Sequence, residues 1–247
     1  MFFRTELKRA FISFRFFAAC LIYGILLCLN YPNENYNSAA LNFYIMYNAG
    51  FFNMFFICSA LPHSGSYAID TKNGLFPYAI TRIGAAKYSI AKILTTCISA
   101  FAVTTIGSVI LVLFLLTKAP LRIDFFVDFW GYDTLLGKGQ YLQYFLVRII
   151  LASSIGSAFA VIGLFASTFN EKEITAIISP IVIYYAYNEL INWGIIPKPL
   201  NVTYLLFAPI NSSYEIYINV IYVLFISFSI ISFLGFLFTY QVRRKEK

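Results

Sequence analysis

Chemistry needs nucleophiles, bases or ligands at set spacings, and this chain of 247 residues holds few of them. It has one histidine, His63, and four cysteines, Cys20, Cys28, Cys58 and Cys97, each in an apolar stretch with no paired spacing. Isolated cysteines in such surroundings act as small buried apolar residues, not as disulfide partners or metal ligands. A phosphate-binding loop needs G-x-x-x-x-G-K-[ST]. The nearest piece, Gly131 to Gly139, has the wrong glycine spacing and Gly139 where the hydroxyl belongs. With one histidine there is no H-E-x-x-H, and G-x-S-x-G is also missing. The sequence therefore assigns no catalytic residue, no metal site and no cofactor of its own, and the chain is expected not to be an enzyme. His63, beside a span end, reads as an interfacial polar residue.

Two charges fall inside long apolar runs, Arg148 and Glu189. A charge at the centre of a span costs at least about 2.5 kcal/mol, so such residues tend to pair or to line a cavity. Both fall in the same half of the bilayer at 1.5 Å rise per residue. They are expected to pair or to line a substrate path, or else to snorkel to the nearer surface. The run holding Arg148 also carries Ala152, Gly156, Ala160, Gly163 and Ser167 at helical spacing. Small residues let helix backbones approach closely in lipid. The stripe marks a helix–helix contact, within the subunit or across a dimer, or chance clustering on a lipid-facing surface.

The elements that must position these residues are membrane spans. The chain is 60% hydrophobic and only 12% charged, with a mean hydropathy of +0.74. A soluble domain carries about twice that charged fraction. The fold class is all-α integral membrane protein, a single transmembrane domain over 1–247. Six spans are expected, at about 16–31, 38–61, 89–116, 141–169, 174–196 and 214–240; the last three each have roughly the 20 apolar residues that cross a bilayer, and the first is short unless it begins near Phe11. The second carries Asn42, Asn48 and Asn53, suited to interhelical hydrogen bonds. Pro180 should kink the fifth. Residues 117–140 and 197–213 form outer connections with apolar or aromatic pieces.

Ahead of the first span, Phe3, Leu7, Ala10, Phe11 and Phe14 recur at helical spacing, with Arg4, Glu6, Lys8, Arg9 and Ser13 opposite. This reads as a basic amphipathic helix lying in the inner interface of the membrane, or as the start of the first span. A signal peptide fits less well, because no A-x-A site follows and Arg15 interrupts the apolar run.

Thirteen cations (Arg4, Lys8, Arg9, Arg15, Lys72, Arg82, Lys87, Lys92, Lys172, Arg243, Arg244, Lys245 and Lys247) fall on one side of these spans, and four (Lys118, Arg122, Lys138 and Lys198) on the other. The positive-inside bias puts both termini and the stretch from Pro62 to Lys92 in the cytoplasm. The net charge of +7 sits at span ends, which argues against a nucleic-acid partner. Membrane lipid is the expected surrounding.

Within that stretch, Asp70 precedes Gly74 by four, Ile80-Thr81-Arg82 follows, and Lys87-Tyr88 leads to Lys92 at the start of the next span. The pattern resembles the first cytoplasmic loop of ABC-2-type exporter permeases, the small permeases of antimicrobial-peptide and lantibiotic export or immunity systems above all. The layout of the whole chain is similar too. Asp70 stands where Glu is usual, and Pro77 falls within the expected helix, which it breaks or opens at a first turn.

The resemblance implies a cytoplasmic coupling helix in the first inner loop, docked on a separate ABC ATPase subunit through Asp70, Gly74, Tyr78, Arg82, Lys87 and Lys92. It also implies a second permease subunit, identical or paralogous, with ATP and Mg held by the ATPases. The chain would then be the permease of an ATP-driven exporter in a bacterial plasma membrane, moving a hydrophobic or amphipathic peptide, antibiotic or lipid-like molecule. A secondary transporter and a non-transporting immunity or anchor protein are the alternatives, and a basic loop binding lipid headgroups is the simpler reading of the stretch itself.

Overall fold

A computed structural model of the chain describes residues 2–29, 31, 38–48, 52–121, 131–195, 197, 200–201 and 216–246. No strand occurs among them. The helices are α1 (Phe2–Phe11), α2 (Phe14–Leu29), α3 (Ala39–Asn48), α4 (Phe52–Ala60), α5 (Ser66–Lys72), α6 (Leu75–Ile83), α7 (Ala85–Lys118), α8 (Thr134–Gly137), α9 (Tyr141–Ala166), α10 (Glu173–Asn192) and α11 (Ile216–Glu246), with a 3₁₀ turn at Gly131–Asp133.

Four of these, α7, α9, α10 and α11, are long and apolar enough to cross a membrane, and α1 with α2, bent by 47°, would make a fifth. The expected six spans are therefore not all matched by long described helices. The segment 38–61 holds α3 and α4, of 10 and 9 residues, and the residues between them lie outside the described ones. Much of both outer connections, including Phe125, Phe126, Phe129 and Trp130, also lies outside them. The third expected span, 89–116, is longer in the structure. As α7 it has 34 residues, about 51 Å at 1.5 Å each, so it outreaches the roughly 30 Å apolar layer.

The helices sort by how much of them the chain itself covers. In α9, 78% of the apolar window is buried, against 44% in α7, 17% in α10 and 11% in α11. The small-residue stripe explains the first value. Ala152 and Ala160 are buried, a Cβ on Gly156 would come within 3.0 Å of the Phe55 ring, and one on Gly163 would collide with the Ala176 carbonyl oxygen of α10. The stripe is thus a contact within the chain, where α4, α7 and α10 press onto α9. Outward residues of α10 and α11 such as Val182, Ile221, Phe225 and Phe236 are apolar and exposed, as a lipid solvent requires.

Gly74, at φ 67°, ends α5 and starts α6, a left-handed conformation that costs other residues roughly 1–2 kcal/mol. Pro77 then sits in the first turn of α6, where its missing N–H is harmless. Of the two readings left open for Pro77, it opens a new helix.

Candidate functional site

The most unusual feature of the structure is a cluster of charges with almost no access to solvent, at the bundle end that carries α1, α5 and α6. Lys92 is wholly buried, and Glu6 and Asp70 are each 4% exposed. Lys92 Nζ lies 2.6 Å from Glu6 Oε2 and 2.7 Å from Asp70 Oδ2. Arg9 Nη1 donates to Asp70 Oδ1 at 2.6 Å, and the Tyr88 hydroxyl donates to Asp70 Oδ2 at 2.9 Å. His63 Nε2 lies 3.0 Å from Glu6 Oε2, and its Nδ1 is 3.0 Å from Thr96 Oγ1 and 3.2 Å from Ser66 Oγ.

Local sequence explains the convergence. Glu6 and Arg9 sit three apart on α1, so they share a face. Tyr88, Lys92 and Thr96 recur every four residues on α7 and form a second polar ladder. His63 lies in the turn between α4 and α5, and Asp70 sits on α5. One network thus joins α1, the turn after α4 together with α5, and α7.

The charges balance. Two carboxylates face Lys92 and Arg9, and His63 is held neutral. Burial pushes the His63 pKa down to about 4, with Lys92 and Arg9 adding to the effect and the Glu6 bond opposing it. For Glu6, burial alone would raise the pKa, but bonds from His63 and Lys92 outweigh it and hold the carboxyl at about 2. A neutral imidazole with Nε2–H donating to Glu6 leaves Nδ1 free to accept from the Ser66 or Thr96 hydroxyl. A buried ion cluster of this kind stabilises little by its mere presence, but losing one member leaves an uncompensated charge in a dry site. It acts as a clamp of defined geometry. Among the described residues, no three His, Cys, Asp or Glu side chains are grouped to hold a metal ion. Between Glu6 and Asp70, the place of a cation is taken by the Lys92 ammonium.

Two sequence expectations are corrected here. Glu6, assigned by spacing to the face opposite Ala10, is with Ala10 the buried side of α1, while Phe3 is 37% exposed. His63 is not an interfacial residue but lies inside the cluster. The reason is the same for both: opposite charge and hydrogen-bonding groups on α5 and α7 are available only after folding.

The six residues expected to serve coupling divide into two groups. Asp70 and Lys92 are buried in the network and cannot reach another protein. Tyr78, 77% exposed, and the exposed Arg82 and Lys87 stand outside, and Gly74 makes the junction between α5 and α6. On α6, Phe76 and Ile80 pack inward against Tyr67 and Tyr88, which leaves Leu75, Tyr78 and Arg82 on the free surface.

Arg148 and Glu189 are not brought together. Arg148 is buried at the opposite end of the bundle, 5.5 Å from the Tyr47 ring and 5.9 Å from the Tyr144 ring, and it acts electrostatically on Asp133. Burial raises the Asp133 pKa, and Arg148 works against that rise. Glu189 is exposed on α10. A separate cavity of about 450 Å³ lies between α7, α9 and α11, walled by Ile98, Phe101, Leu224 and Phe228, with the hydroxyls of Ser154, Ser157 and Ser227.

Sequence reasoning missed Glu6, Arg9, His63, Ser66 and Thr96 as site residues. One signal was present. Glu6 is the only acid before Glu34, and Asp70 the only acid between Pro62 and Lys92, each set among cations. Comparison with protein-family models, curated proteins and solved structures found no match to this chain.

Proposed function

We propose that this chain is the membrane permease of an ATP-driven exporter of the ABC-2 type, with six spans, both termini in the cytoplasm of a bacterial cell, and ATP hydrolysed on a separate subunit. The observation that carries the reading is that α6 offers a free surface of Leu75, Tyr78 and Arg82 while its support is clamped to a membrane helix. A coupling element needs both properties: side chains that a partner can grip, and a stiff path for force.

The path runs two ways. α6 joins α7 directly through Gly84, and α5 joins it through Asp70 and Lys92. When partner ATPases close, a displacement of α6 is carried into α7, and through α7 into the α9 packing that centres the bundle. Arg9 and Glu6 carry the same displacement into α1. The cavity between α7, α9 and α11 borders the moving helix and suits an apolar or amphipathic cargo held by a few hydroxyls. A second permease copy completes the working unit, and no covalent chemistry falls to this chain.

The test is transport by cells expressing the chain with its ATPase. Gly74→Pro cannot adopt the φ of 67° and disrupts the α5–α6 junction, and Arg82→Glu reverses the exposed charge. Both are expected to abolish ATP-dependent efflux while membrane insertion is kept. Efflux that survives ATP depletion, or is untouched in both variants, refutes the reading.

A further inference from the structure

We propose that the cavity at the elbow between α1 and α2 binds the phosphate of an anionic membrane lipid through Arg9 and Arg15. The cavity is about 150 Å³, room for a tetrahedral phosphate group, and its walls include Arg9, Ser13, Arg15, His63, Gly65 and Ser66. Its polarity is mixed, unlike the apolar cavity between α7, α9 and α11.

Arg9 has donors to spare, and Arg15 has donors held by a carboxylate that a phosphate can replace. A guanidinium carries five N–H groups. The bond from Arg9 to Asp70 uses only Nη1, and the Arg9 side chain is 37% exposed. Arg15 is 44% exposed and pairs through both Nη1 and Nη2 with Glu173 at the start of α10, so a phosphate reaches those donors by displacing the carboxylate. Two arginines facing one small cavity suit a phosphate, which accepts paired guanidinium bonds.

The surroundings favour a lipid over a free anion. At the same elbow, Ile12 is 74% exposed, Phe14 86% and Phe17 56%. Phe14 and Ile12 are among the most exposed apolar side chains of the described residues, and they adjoin the cavity-lining Ser13 and Arg15 in sequence, where acyl chains would lie beside a bound headgroup. A basic helix with such a rim lies in the headgroup layer of a bilayer. Glu173 supplies the competition. Its carboxylate takes Arg15 when no phosphate is present, and its Cγ would lie 2.6 Å from a Cβ placed on Gly65, so it stands over the cavity wall.

Because Arg9 also holds Asp70, a lipid seated here braces the ion network from its outer side. The inference needs only the membrane placement of the chain, so it can stand if the ATPase partnership fails, and the reverse.

The experiment is native mass spectrometry of the full chain in neutral detergent, titrated with short-chain phosphatidylglycerol, phosphatidylcholine or inorganic phosphate. Phosphatidylglycerol is expected to be retained most strongly. Arg15→Gln should weaken it about five- to tenfold, the effect of one lost charged contact. Glu173→Gln should tighten it by freeing Arg15. Both substitutions delete the same ion pair, so a purely structural pair would move binding in one direction in both. Equal retention of phosphatidylcholine or of free phosphate, no change in either variant, or a change of the same sign in both overturns the proposal.

Discussion

Lys92→Met removes the wholly buried charge that lies closest to both buried carboxylates and keeps nearly the same side-chain length. In the wild type the ammonium is wholly buried, 2.6 Å from Glu6 and 2.7 Å from Asp70. Without it, two buried carboxylates share only Arg9, which is itself 37% exposed. Breaking a buried ion cluster by deleting one partner costs about 3–5 kcal/mol. Against the roughly 5–15 kcal/mol that typically separates folded from unfolded states, this is a large fraction. The assay is reversible unfolding of the purified chain in mixed micelles with rising denaturing detergent, followed by circular dichroism. Glu6→Gln with Lys92→Met removes one charge of each sign and leaves Arg9 paired with Asp70. The double variant should therefore recover about 2 kcal/mol relative to the sum of the single effects, within the usual range for contacting groups. A cost below about 1 kcal/mol for Lys92→Met, or simple additivity in the double variant, would refute the clamp.

Acid should weaken the fold in two steps of the same sign. Folded His63 stays neutral down to about 4 while the unfolded residue takes its proton near 6.5, so stability falls as pH drops through that window, by on the order of 3 kcal/mol. Folded Glu6 stays ionised to about 2 while the unfolded residue protonates near 4.5, which extends the loss to lower pH. Thermal melts between pH 7 and 4 check this, and His63→Gln should flatten the upper part of the profile. Gly163→Ala should cost about 1–3 kcal/mol through overpacking, because its Cβ meets a backbone oxygen of α10 that cannot rotate away. Melting temperatures of the purified variant would show it.

The sequence conveyed what a bilayer demands of a chain. Long apolar runs marked α7, α9, α10 and α11 to within a few residues at most ends, since lipid requires continuous apolar helix. The stripe from Ala152 to Gly163 was visible as a packing surface for the same reason, although its partner was not. Helical spacing marked α1 but put Glu6 on the wrong side. A period assigns faces by polarity alone, and Glu6 turns inward only because Lys92 and His63, far off in the chain, wait there. Arg148 illustrates the same limit. Its depth in a span was legible, but its surroundings of Tyr47, Tyr144 and Asp133 come from three separate segments, and Glu189 points elsewhere. Asp70 and Lys92, expected as coupling residues of the loop, are its anchor, because the partners that bury them (Glu6, Arg9 and Tyr88) lie on α1 and α7 and meet them only in the folded chain.

The central claim is that α6 is where an ATPase grips this chain, and site-directed photo-crosslinking tests it most directly. A photoreactive residue at Tyr78, on the free face, should crosslink in cells to a protein that binds ATP and whose hydrolysis is stimulated when the two are reconstituted together. The same residue at Phe76, on the buried face, should give no such product. Capture of lipid alone from Tyr78, or an equal yield from both positions, would contradict it.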